Sequence, residues 1–279
     1  MSEFLVLTPS HRCDGQLAIA AARAGEIGIV DLGHTGDRTA QFTAVRSVAR
    51  HAGGSGQRWG VRWDAWGDVA PFPETLDEFT QQRWPLLILA GLPLFDEQPS
   101  LERLAKKARG LAAKIYLEVY SLPQAFAAQE AGFDGIVVKG HEAGGRVSQE
   151  STFILLQRLR DKLKIPYYVQ GGIGPDTAAA AFLAGAAGVV LCEQLWLAVE
   201  SPLTRTEREL WSGLDGSETA TVGEGNIHYR FFQRGNREIL DSLEKACADG
   251  DDWQALMRER IAVDAHRMRG AHDVCDVLG

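Results

Sequence analysis

The sequence predicts an α/β fold, a TIM (β/α)8 barrel carrying a C-terminal appendage of hairpin and helices. Three observations lead there. Eight short apolar runs recur along the chain, most of them continuous rather than alternating, as parallel strands covered on both faces require. Helix-forming stretches separate them. Two runs end in glycine-rich turns, and the C-terminal strand ends of such a barrel are where its ligands bind.

The strands are predicted at residues 4–7, 27–32, 59–63, 86–90, 114–119, 135–138, 167–170 and 188–191. Between them, 16–24 is alanine-rich, 101–112 is charged and amphipathic, and 123–131 and 177–184 hold good helix formers. After residue 200 the pattern changes. Residues 200–211 read as a helix or loop, and 217–232 hold two β-prone runs around Gly223-Glu224-Gly225-Asn226, a hairpin signal. Residues 237–247 and 253–268 look like amphipathic helices. The expected organisation is a barrel over 1–200 with an appendage over 201–279 packed on it as a lid or docking subdomain.

Composition narrows the function. The 279 residues are 45% hydrophobic and 24% charged, which is ordinary for a soluble globule. A net charge of −8 without any basic run argues against nucleic acid or an anionic membrane as partner. Cys13, Cys192, Cys247 and Cys275 are scattered, without paired or metal-ligand spacing, and read as reduced thiols of a cytoplasmic protein with no metal site. Nothing after Met1 resembles a secretion signal, and no apolar run approaches the roughly 20 residues needed to cross a bilayer. The closing Asp276-Val277-Leu278-Gly279 has no finishing element, compatible with a domain of a longer chain.

The two glycine turns carry the chemistry. In Gln170-Gly171-Gly172-Ile173-Gly174-Pro175-Asp176, glycines free the backbone and Pro175 suits the first helical position, leaving N–H groups to meet a phosphate; the same run also makes a tight βα turn with no ligand. One strand earlier, Gly144 and Gly145 give room beside a flat ring, with Arg146 as a nearby positive charge or as a partner of Glu142 or Glu150. His141 is a candidate general base or a solvated loop residue. Lys139 ends an apolar strand, where it serves a Schiff base, an anion or a salt bridge. Glu118, Asp31 and His34 add titratable groups at other strand ends. Trp59, Trp63 and Trp66 line a pocket or simply pack.

Residues 132–197 resemble the nitronate monooxygenase (2-nitropropane dioxygenase-like) family of FMN-dependent TIM barrels, which also includes flavin enoyl-acyl carrier protein reductases. The matching stretches are Gly132-Phe133-Asp134-Gly135-Ile136-Val137-Val138, Glu142-Ala143-Gly144-Gly145, Gln170-Gly171-Gly172-Ile173 and Gly185-Ala186-Ala187-Gly188-Val189-Val190. Ala20-Ala21-Ala22-Arg23-Ala24-Gly25-Glu26-Ile27-Gly28 is similar more weakly. Residues 142–156 and the tail are similar to the branch found at the N-terminus of some bacterial polyketide and lipid megasynthases. The resemblance implies FMN held by Gly144, Gly145, Gln170, Gly171, Gly172, Gly174 and Cys192. It also implies a small or carrier-tethered acyl substrate, and other domains of a polyketide synthase as partners.

Two positions depart from that pattern. The residue after the Glu-Ala-Gly-Gly run is a catalytic His in typical members and is Arg146 here; a permanently protonated guanidinium cannot take a proton. Arg146 is then the electrostatic group beside the reacting carbon and His141 the substitute base. After the last strand, a Gly-Thr-Arg-like segment that helps bind the FMN phosphate is replaced by Cys192-Glu193-Gln194. A carboxylate about 4 Å from a phosphate would repel it by roughly 4 kcal/mol per unit charge at a surface-like dielectric. Two other readings follow from the sequence: a non-catalytic docking barrel with a decayed flavin site, and a flavin-free lyase or isomerase using Lys139 or Glu118 on a sugar phosphate.

Overall fold

A computed structural model of the chain describes residues 3–9, 12–33, 38–52, 57–64, 83–91, 98–215, 217–225, 227–233 and 237–257. Eight parallel strands form a closed barrel: β1 (Glu3–Leu7), β2 (Ile27–Asp31), β3 (Trp59–Asp64), β4 (Trp84–Ala90), β5 (Ala112–Val119), β6 (Gly135–Lys139), β8 (Tyr167–Gln170) and β9 (Gly188–Leu191). The ring shuts where β9 pairs with β1, Val189 opposite Phe4. A short strand, β7 (Gly145–Val147), lies outside it. All eight predicted strands are present in the predicted order.

Helices α1 (Gln16–Arg23), α2 (Arg38–Ala52), α3 (Gln98–Leu111), α4 (Leu122–Glu130), α5 (Thr152–Leu159) and α6 (Pro175–Leu183) fill the connections. Their starts are written locally. Ser121 accepts from the Gln124 N–H to open α4, and Ser151 accepts from Ile154 to open α5. At α6, Pro175 occupies the first turn and the Gly174 N–H donates to Thr177 Oγ1 at 2.6 Å. Trp59 and Trp63 are buried in the shell between strands and helices, so they pack; Trp66 and His34 lie outside the described residues.

Alternation along the strands decides what fills the barrel. Ile29, Tyr116, Val137, Tyr168 and Val190 belong to one buried apolar cluster inside the ring. Two residues further along each strand stand Asp31, Glu118, Lys139, Gln170 and Cys192, all buried. The axis therefore changes from apolar to polar toward the C-terminal strand ends. At the lower level, Tyr116 and Tyr168 stack with ring centroids 5.2 Å apart, and the Tyr168 hydroxyl donates to Glu3 at 2.6 Å.

Beyond β9 come α7 (Arg205–Trp211), β10 (Thr219–Glu224), β11 (Ile227–Phe232) and α8 (Arg237–Asp249). The predicted hairpin is β10–β11, with Glu224 opposite Ile227 across its turn. Asn226 lies outside the described residues, as does the predicted last helix beyond its beginning at 253–257. The stretch read as helix or loop is loop and then α7. Arg208 holds that connection by donating to the carbonyls of Leu203, Leu197 and Ser201. Strand β11 also pairs antiparallel with β7, Tyr229 opposite Arg146, so the appendage and the loop after β6 form one three-stranded sheet. Leu240 and Leu243 of α8 bury against Val222 and Tyr229 behind it.

Candidate functional site

Four buried charged groups occupy the top of the barrel. Arg62 on β3 donates from Nη1 to Asp31 Oδ2 (3.0 Å) and from Nε to Glu118 Oε2 (3.0 Å). Lys139 Nζ lies 3.6 Å from Glu118 Oε1, and the Tyr120 hydroxyl donates to that same oxygen at 2.5 Å. Burial alone would raise the Glu118 pKa. The charges of Arg62 and Lys139, with hydrogen bonds from Arg62 and Tyr120, outweigh it and hold the carboxyl at about 2. Glu118 is thus an ionised structural anion rather than a proton donor at neutral pH. Neither Arg62 nor Tyr120 stands out in the sequence as a site residue.

Over the two glycine turns lies a cavity of about 630 Å³, within the range that ordinary small-molecule ligands need. Gly144, Gln170, Gly171, Gly172 and Gly174 all line it, as predicted positions brought together. Gly171 adopts φ +114°, and a Cβ there would stand 2.8 Å from the Ala143 backbone nitrogen, so only glycine lets the two turns approach. Thr152 fastens them from behind. Its Oγ1 lies 2.9 Å from Glu142 Oε2 and 3.2 Å from the Gly171 carbonyl, while its N–H donates to the same Glu142 oxygen. Glu142 therefore serves Thr152, and Glu150 pairs with Arg158; neither forms the ion pair with Arg146 that the sequence left open.

Gln170 differs from the other lining residues in what its side chain lacks. Its side chain is 3% exposed and lines the cavity, yet neither the amide nitrogen nor the amide oxygen has a hydrogen-bond partner. Leaving a buried polar atom unsatisfied costs about 1–3 kcal/mol. Across the β6–β8 ladder its register partner is Lys139.

The remaining predicted residues border the cavity without lining it. Gly145 sits in β7 at φ +66°. Arg146 is buried, with its guanidinium carbon 4.5 Å from the centroid of the Tyr120 ring. His141 turns toward the hairpin: its Nδ1 is 3.1 Å from the Ser148 carbonyl, and its own carbonyl accepts from Arg230 Nε and Nη2. Burial, together with the charge of His141, lowers the pKa of His228 on β11. Cys192 is buried at the end of β9. Burial first, then the carboxylates Glu193 and Asp31, push its thiol well up, so it is no thiolate nucleophile.

Glu193 opens a single 3-10 turn (Glu193–Leu195) and is only partly buried as a residue, but its Oε1 is sealed from solvent without a hydrogen-bond partner. Burial raises its pKa against the smaller opposing pull of its own N–H and of Lys139. Beside it, Gln194 accepts from the Cys192 N–H at 2.9 Å and donates to the Ile173 carbonyl at 3.1 Å. Its amide thus laces the turn after β9 to the turn after β8. No sequence signal marked that role. Among the described residues, no group of His, Cys, Asp and Glu is placed to hold a metal ion, and no helix is long and apolar enough to cross a membrane.

A closed (β/α)8 barrel with its cavity over glycine turns at the C-terminal strand ends defines a TIM-barrel protein whose cavity lies at the face where that fold binds ligands. Residues 95–251 match the family described as nitronate monooxygenase, and the chain belongs to that family of flavin-type oxidoreductases. A curated relative, the (3aS,4S,5R,7aS)-5-hydroxy-7a-methyl-1-oxo-octahydro-1H-indene-4-carboxyl-CoA dehydrogenase of Rhodococcus jostii, is 26% identical over 82% of this chain. The chain spans 61% of that relative's length. Among solved structures, FabK from Thermotoga maritima superposes with a TM-score of 0.68 at 19% identity over 96% of each chain. The enoyl reductase domain of MlnA from Bacillus amyloliquefaciens gives 0.67 at 16% identity, over 88% of this chain and 67% of that one. Nitroalkane oxidase from Streptomyces ansochromogenes gives 0.62 at 17%, over 95% and 96%. These likenesses describe the fold.

Proposed function

We propose that the protein is a flavin-dependent oxidoreductase acting on a small or carrier-tethered acyl substrate, as part of a biosynthetic assembly of the polyketide synthase kind. One observation carries the flavin reading: the buried, unpartnered amide of Gln170 on the wall of a cavity built from glycine turns. A primary amide with both its donor and its acceptor unmet asks for a ligand edge offering the reverse pair. The pyrimidine edge of a flavin ring offers that pair. Gly144, Gly171 and Gly172 line the cavity in which a flat ring would lie, and a bound flavin would supply hydride chemistry.

Support for an acyl substrate comes from the relatives' names, one a carboxyl-CoA dehydrogenase and another an enoyl reductase domain. Arg146 fits such a substrate better than a nitroalkane. It cannot abstract a proton, but a buried guanidinium stabilises a carboxylate or an enolate oxygen by charge-assisted hydrogen bonding. The phosphate end of FMN fits less well. Glu193 and Glu142 line the cavity, and the Cys192 N–H is already taken by Gln194.

The test is direct. Purified protein is expected to show flavin absorption as isolated or to gain it, with quenched flavin fluorescence, on adding riboflavin or FMN. A protein that binds neither is not a flavoenzyme. The non-catalytic alternative has its own observation: the carboxylates of Asp31 and Glu118 are already paired with Arg62, and Glu118 also with Lys139, at the barrel mouth. It predicts that Arg146→Ala and His141→Ala leave product output unchanged in the full assembly, whereas deleting the whole unit does not.

A further inference from the structure

The geometry points to a flavin site that takes riboflavin, a flavin without its terminal phosphate, in preference to FMN; this rests on the flavin reading above. An anion needs donors or positive charge, and this cavity sets negative charge beside the donors it has. Its lining includes four carboxylates, Glu142, Glu193, Asp215 and Glu218. Among the described lining residues the cation is Arg230, whose Nε and Nη2 donate to the His141 carbonyl at 3.0 and 2.9 Å and whose Nη1 donates to Thr219 Oγ1 at 2.8 Å. A guanidinium held by three hydrogen bonds to two neutral acceptors meets an incoming dianion fully only if those bonds break.

Two of the backbone donors at these turns are committed as well. Two turns and a helix N-terminus converge beside residues 171–174, the arrangement that ordinarily cradles a phosphate. Here the Gly174 N–H is capped by Thr177 Oγ1, and the Cys192 N–H is capped by Gln194 Oε1. The Gln194 amide then continues to the Ile173 carbonyl and bridges the gap between the turns. Next to that bridge stands Glu193, with one carboxyl oxygen sealed from water and unbonded. A ribityl chain ending in a hydroxyl brings no charge to that carboxylate. A phosphate presents only further negative charge.

Equilibrium titration of the intact protein with riboflavin and with FMN, followed by flavin fluorescence at mildly alkaline pH, tests this. Riboflavin is expected to bind about tenfold or more tightly than FMN. Glu193→Gln keeps the side-chain volume and removes the charge, and it should narrow the gap by strengthening FMN. Gln194→Arg, a second variant at the same turn, should do the same by adding a cation; thermal melts confirm that both variants are folded. FMN binding as tightly as riboflavin in the wild type overturns the inference and leaves the flavin reading standing. A preference for riboflavin that neither variant reduces also overturns it. If neither flavin binds, the flavin reading fails, and this inference fails with it.

Discussion

Replacing Arg62 with methionine tests the charge network at the barrel mouth. Arg62 is 3% exposed and bridges Asp31 and Glu118, which are themselves 0% and 2% exposed. Methionine keeps much of the stem packing but takes the guanidinium from two buried carboxylates, leaving Glu118 with Lys139 and Tyr120 and Asp31 with the Gly33 N–H. Folding lowers the Glu118 pKa from 4.5 to about 2, against the opposing effect of burial, through Arg62 first and Lys139 second. At roughly 1.4 kcal/mol per pH unit, that depression contributes about 3 kcal/mol of stability at neutral pH. Because the folded pKa is the lower one, the contribution is complete above 4.5 and is lost as pH falls toward 2. Arg62→Met should therefore cost about 3–5 kcal/mol near neutrality, the usual penalty for breaking a buried pair. It should also shift the acid-dependent loss of stability to higher pH, because Glu118 then protonates more readily. Urea unfolding midpoints measured across the acid range for both proteins provide the comparison. A variant as stable as the wild type, or one with the same acid profile, would refute the view that these ion pairs support the barrel mouth.

Gln170→Leu should separate stability from binding: removing the unsatisfied amide raises the melting temperature by the equivalent of about 1–3 kcal/mol while flavin affinity falls at least tenfold, as thermal melts and flavin titration would show. If both fall together, the amide is satisfied in the folded protein and the ligand argument is lost. Gly171→Ala should cost about 1–3 kcal/mol, since its φ of +114° disfavours any L residue and the new methyl meets the Ala143 nitrogen; an unchanged unfolding midpoint would contradict the tight approach of the two turns. Arg146→His places a titratable imidazole where Arg146 now packs on Tyr120. With flavin supplied, it should gain nitronate oxidation with a pH profile rising near neutrality, and no gain at any pH would mean that this position does not face the reacting carbon.

The barrel was legible because its signals are local. Each predicted strand is a short apolar run, and each glycine turn follows one directly. Asp31, Glu118 and Lys139 were visible as charges ending such runs. Arg62 was not, because it sits between Trp59 and Trp63 in a stretch that reads as aromatic packing, and its partners lie 31 and 56 residues away in sequence. Taking every second residue of β3 as inward-facing would have placed it with the others. Strand β7 is three residues long and exists because β11 pairs with it from far downstream, so no local pattern could announce it. The role of Gln194 was invisible for a related reason: a glutamine after a strand has many uses, and only the meeting of two turns selects one.

The shared sheet of β7 and β11 has a consequence for how this molecule could be rewired. Arg146 takes its backbone position from Tyr229, and the neighbouring His141 carbonyl is gripped by Arg230 on the same strand. A force, a ligand or a neighbouring domain that shifts the hairpin by one residue of register would move the side chains on both sides of the cavity rim together, without touching the barrel. The hairpin is therefore a handle on the site. Insertions in the β10–β11 turn should be tolerated, whereas any change in the length of β11 should alter what the cavity accepts.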